Sequence, residues 1–130
     1  MTEHPNVKLI SRGYDAFAAG DLERFGELFD PAVVWHEPGR SALGGDYQGR
    51  EGVLELFGKL HTLSEGTFKF GLVDILATAD RAVALHELTA QRGDRVLDMA
   101  SAVEFEIHRG KITEVTVYHD DTHHFDEFWG

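Results

Sequence analysis

The sequence predicts an α+β domain, with helices at the front of the chain packed on a curved, mostly antiparallel sheet at the back. Up to Leu63 most apolar residues recur three and four apart, the period of a helix that buries one face. From Thr67 they alternate, β-branched and aromatic residues become common, and the turn pairs Ala79-Asp80, Gly93-Asp94 and Arg109-Gly110 divide the run. Nine Phe residues suit an interior lined with rings and an apolar cavity between helices and sheet.

Val7, Ile10, Tyr14 and Phe17 define one face of a first helix over residues 5–19, with Pro5 in its first turn and Gly20 at its stop. Asp21 suits the N-cap of a second helix whose inward residues are Leu22, Phe25, Leu28 and Phe29; Asp30-Pro31 ends it. Residues 32–37 form a first strand, and residues 38–49, rich in glycine, form a loop near the pocket mouth. A third helix runs over residues 50–63, with Val53, Leu56, Phe57 and Leu60 inward. Strands follow at 67–78, 81–92, 96–109 and 111–120. In the third of these, Met99, Ser101, Val103, Phe105 and Ile107 share a face that reads as buried. The last residues hold Phe125, Phe128 and Trp129, which predicts a docked tail over the pocket.

The length of 130 residues means one domain. A formal net charge of −11 disfavours phosphate backbones and anionic membranes as partners. With no cysteine, disulfides, thiolate metal sites and a Cys nucleophile are excluded. The first residues have neither the basic nor the apolar part of a signal peptide, and no apolar run is long enough to span a bilayer, so a cytoplasmic location is expected.

Two strand ends gather carboxylates and imidazoles: Trp35-His36-Glu37-Pro38-Gly39, and His119-Asp120-Asp121 followed by His123-His124. Such groups at a pocket edge can move protons. Alternation allows either Trp35 and Glu37 or His36 to face the pocket, and the sequence leaves that choice open. His119 and Asp121, two apart, are able to share a face and act as a pair. His119, Asp121 and His123 also form a conceivable ligand set, but residues two apart on a strand lie about 6.6 Å from one another, so no metal is expected. Tyr14 packs its ring on the first helix and offers a hydroxyl. His86 is a further donor on the sheet, or a structural histidine.

Several segments resemble the nuclear transport factor 2-like superfamily, and within it the SnoaL-like and ketosteroid-isomerase-like branch. They are residues 14–22 (YDAFAAGDL), 28–31 (LFDP), 34–39 (VWHEPG), 47–52 (YQGREG) and 105–114 (FEIHRGKITE). The resemblance implies a cystatin-like conical barrel, three helices on a curved sheet, usually dimeric, with the pocket between them. In SnoaL-like cyclases an aspartate of the last strand is the acid/base, and Asp121 lies nine residues before Gly130 as that pattern requires. Ketosteroid isomerases use an Asp-Pro base with a Tyr and a protonated Asp as oxyanion donors. Here Glu37-Pro38 occupies the base position, Val103 the protonated acid, and Gly13, beside Tyr14, the tyrosine, so steroid isomerisation of that kind is not expected.

The expectation is a pocket for a small, apolar, carbonyl-bearing ligand. If the pocket is catalytic, the chemistry is cofactor-independent proton transfer, as in isomerisation or cyclisation. Asp121 is the first choice for acid/base, with His119, Glu37 or His36 as partner. Trp35, Tyr14, Phe17, Phe57 and Trp129 supply walls and His86 a donor. The alternative is a non-catalytic ligand-binding or dimeric scaffold protein with the same pocket.

Overall fold

Three of the four helices among the described residues begin where a side chain replaces a missing backbone partner. In the computed structural model, which describes residues 4–130, α1 (Pro5–Ala18) starts with His4 Nδ1 accepting from the Asn6 N–H, and α2 (Leu22–Glu27) with Asp21 accepting from the Arg24 N–H. The buried face of α1 is Asn6, Leu9, Ile10, Gly13 and Ala16, with Tyr14 and Phe17 half-buried beside it. It is therefore turned from the predicted stripe, and Val7 is only partly covered. Helix α2 has six residues, too short to bury both ends, and Leu22 remains exposed.

Strand β1 (Phe29–Glu37) starts earlier than predicted. Its register shifts between Phe29 and Val34, where Pro31 lacks a ladder N–H. The predicted loop contains a short edge strand, β2 (Gly45–Gln48), that pairs with β1 through Tyr47 opposite Trp35. Four residues are too few to show a period. Helix α3 (Gly49–Leu63) buries Val53, Leu56, Phe57 and Leu60 as expected.

β3 (Lys69–Ala77), β4 (Arg81–Arg92), β5 (Arg95–His108) and β6 (Lys111–His119) form the antiparallel meander. At its last turn Arg109 and Gly110 both have positive φ, 52° and 76°, as two-residue hairpin turns require. The sheet order is β2-β1-β6-β5-β4-β3, with only β1 and β6 parallel. One face of this curved sheet meets the helices across the core; the other leaves Val73, Leu76, Leu85 and Tyr118 exposed.

The tail is an eight-residue helix, α4 (Thr122–Trp129), with Phe125, Phe128 and Trp129 buried. Arg92 and Arg95 donate to the carbonyls at its end. Asp126 accepts from the N–H groups of Arg40 and Ser41, which ties the loop after β1 to this helix. Gly39 is required there: a Cβ would collide with the Asp126 carboxylate, and its φ is +100°. No described helix is long and apolar enough to cross a membrane.

Candidate functional site

Between α1–α3 and the concave face lies a cavity with an empty volume of about 710 Å³, counted out through its mouth. Eight of the nine Phe residues line it, and Phe17 and Phe57, 4.9 Å apart, sit at their centre. Four lining residues carry polar side-chain groups besides Trp35: Tyr14, Glu37, His86 and His119. A space this apolar, with few polar groups, suits a small ligand.

Strand register places those groups. Regular pairing from Val34 onward turns Trp35 and Glu37 into the cavity and His36 out of it. On the meander, His86 pairs directly with Ser101 and Ser101 with His119, so three adjacent strands carry one polar row across the concave face. Phe125 of α4 lies flat on the His119 ring, with centroids 3.9 Å apart.

Glu37 and His119 are deeply buried, with side chains 6% and 2% exposed. Glu37 Oε2 and His119 Nε2 are 3.6 Å apart, just beyond a hydrogen bond, and neither atom has another partner among the described residues. Trp35 Nε1 is also buried and unpartnered. Leaving such groups unpaired is costly and uncommon. Burial pushes the Glu37 carboxyl up, while the neighbouring His119 imidazole and Trp35 indole pull part of the way back.

The second polar station is Tyr14 and His86. The Tyr14 hydroxyl lies 2.6 Å from His86 Nδ1. Burial holds the phenol above its ordinary range, so it stays protonated and donates. Burial, and secondarily the His119 ring, lower His86 to about 4. His86 is therefore a neutral imidazole at physiological pH, with Nδ1 accepting and Nε2–H remaining.

The structure thus brings together Trp35, Glu37, His119, Tyr14, His86, Phe17 and Phe57. It separates three other residues from them. Asp121 is exposed and caps α4, accepting from the His124 N–H at 3.0 Å, because the strand ends at His119 and the chain turns before the acid. His36 faces outward, 2.8 Å from Asp46 and 2.6 Å from Glu114; its hydrogen bonds to Asp46 and then Glu114 raise its pKa. Trp129 is buried against Phe128 and Phe125 but does not line the cavity. The same turn parts His119 from Asp121 and from His123, which is exposed and pairs with Glu127. Ser101 was legible only as a lone hydroxyl on an apolar face, and Phe68 and Phe70 only as part of a count.

The SnoaL-like domain profile matches residues 10–115. An uncharacterised protein of Mycobacterium tuberculosis is 32% identical, with 99% of each chain covered. The solved structure of Bal32a, from a soil-derived mobile gene cassette, is 38% identical with 97% of each chain covered and a TM-score of 0.93. A putative polyketide cyclase from Pseudomonas putida shares the fold at 22% identity, with 99% of this chain and 100% of that one covered and a TM-score of 0.76.

Proposed function

Since the chain belongs to the SnoaL-like domain family, we propose that it is a cofactor-independent enzyme that moves a proton on a small, apolar, carbonyl-bearing ligand. One observation carries this reading: three buried polar atoms beside an apolar cavity, Glu37 Oε2, His119 Nε2 and Trp35 Nε1, have no hydrogen-bond partner among the described residues. Two are able to donate and one to accept. A ligand with a carbonyl oxygen and an adjacent C–H supplies what all three lack.

In the proposed step, the Glu37 carboxylate takes the proton alpha to the carbonyl. The C–H electron pair moves into a carbon–carbon double bond and the carbonyl pair onto oxygen. Trp35 N–H and His119 Nε2–H stabilise that developing oxyanion, usually the largest electrostatic contribution to such reactions. Burial strengthens Glu37 as a base by raising its proton affinity. Returning the proton to another carbon gives isomerisation; attack of the enolate carbon on a second carbonyl gives ring closure, the reaction class named for the P. putida cyclase. The phenyl walls favour a flat, apolar ligand.

The test is hydrogen–deuterium exchange at the alpha carbon of a panel of flat aryl ketones in D₂O, followed by proton NMR. The wild type should accelerate exchange of at least one ketone that it binds. Glu37→Gln should reduce that acceleration by roughly 10²- to 10⁴-fold, the usual worth of a general base. Binding without accelerated exchange, or unchanged exchange in Glu37→Gln, would replace the enzyme reading by that of a non-catalytic binding protein.

A further inference from the structure

Ser101 does not line the cavity; it is buried beside His119 on the neighbouring strand. Resting on the proton-transfer reading above, we infer that Ser101 is the positioning residue that sets which nitrogen of His119 carries the proton and so keeps its Nε2–H turned to the oxyanion. Its Oγ lies 2.6 Å from His119 Nδ1, the only hydrogen-bond partner of that hydroxyl among the described residues. The hydroxyl proton has one acceptor to reach. Ser101 therefore donates to Nδ1, and the ring proton of neutral His119 sits on Nε2, aimed at the Glu37 carboxyl.

The same device occurs once more on the concave face. Tyr14 places a hydroxyl 2.6 Å from Nδ1 of His86, a residue that pairs directly with Ser101 in the neighbouring strand. Each inward imidazole thus has a hydroxyl on Nδ1, whereas outward His36 has carboxylates on both nitrogens. A carboxylate fixes an imidazole in its charged form. A hydroxyl does not, because it both donates and accepts. With Ser101 donating, Nδ1 is paired and Nε2–H is left for the cavity. A ring held in this core needs such a partner, since an unpaired buried nitrogen is expensive.

Long-range proton–nitrogen NMR of the full-length ¹⁵N-labelled protein, without ligand, reads the tautomer of each imidazole. The wild type should show His119 as the Nε2–H form, and an Nδ1–H form would overturn the assignment. Ser101→Ala should give a mixture of the two forms, and Ser101→Thr, which keeps the hydroxyl and suits a strand, should restore one. Tyr14→Phe should leave the His119 signal unchanged. On a ketone that the wild type exchanges, Ser101→Ala should lower kcat roughly 10- to 100-fold, as for other orienting partners behind a functional imidazole, with KM little changed and recovery in Ser101→Thr. An unaltered tautomer together with unaltered kcat in Ser101→Ala would reduce Ser101 to packing. If Ser101→Ala does not fold, the wild-type tautomer and Ser101→Thr still decide. If no ketone is exchanged at all, the function proposal fails while the tautomer measurement judges Ser101 alone.

Discussion

The two faces of strands β1 and β6 carry the same pair of residue types and make opposite use of them. On the convex face His36 meets Glu114 at 2.6 Å and Asp46 at 2.8 Å, in contact with water and with both ring nitrogens occupied. On the concave face His119 and Glu37 stand 3.6 Å apart, almost wholly buried, each with an atom unpaired. A satisfied, solvated ion pair contributes little and has no reason to react. A buried pair held just out of contact retains capacity for a third group. In the function proposed above, what sets the concave pair apart from the convex one is burial without satisfaction beside a cavity, not residue type.

That contrast breaks most directly by exchanging matched substitutions. Glu37→Gln should cost two to four orders of magnitude in alpha-proton exchange, as above, whereas Glu114→Gln on the convex face should leave the rate unchanged. Equal losses from the two would erase the distinction between the faces.

His86 sharpens it through pH. In the unfolded chain this histidine protonates near its ordinary value of 6.5, but in the native protein only at about 4. Between those values the unfolded state holds the extra proton, so stability falls as pH drops through the window and is fully present above it. The shift corresponds to roughly 3 kcal/mol at most. Urea unfolding at pH 7 and at pH 4.5 should show the loss in wild type and a smaller one in His86→Asn. Glu37 contributes with the opposite sign: its raised pKa gives stability that is lost as pH rises through the native value, so the comparison belongs within the His86 pair of proteins.

Asp121→Ala should cost about 1 kcal/mol by removing the N-cap of α4, while leaving proton exchange at the wild-type rate. A large fall in exchange with little change in unfolding midpoint would return Asp121 to the mechanism. The smallest effect belongs to His36→Ala, a slight destabilisation that added salt erases. Because Asp46 and Glu114 raise its pKa, the His36 contribution is present below its ordinary value and lost as pH rises through the raised one. A stability loss in His36→Ala that survived high salt would show the convex pair to be more than a screened surface contact.

Local pattern was enough for most of the frame. The spacing of Val53, Leu56, Phe57 and Leu60 identified α3 and its buried side, and the alternation through Met99, Ser101, Val103, Phe105 and Ile107 identified β5 and its inward face. These readings hold because helix and strand periods are properties of consecutive residues. Apart from the turned face of α1, the misses lie where the period is too short to read: edge strand β2, six-residue α2 with its exposed Leu22, and the eight-residue tail helix that takes Asp121 as its cap.

By itself, the sequence determined the α+β order, the wealth of rings for the cavity, and the two strand ends that supply Glu37 and His119. Tertiary structure alone decided that Trp35 and Glu37 turn inward while His36 turns out. It also decided that His86, Ser101 and His119 align across three strands and that Asp121 stays with its helix. Strand register joins His86 to Ser101, 15 positions on, and Ser101 to His119, 18 positions on, and whether a polar atom finds a partner depends on what those distant strands bring to it.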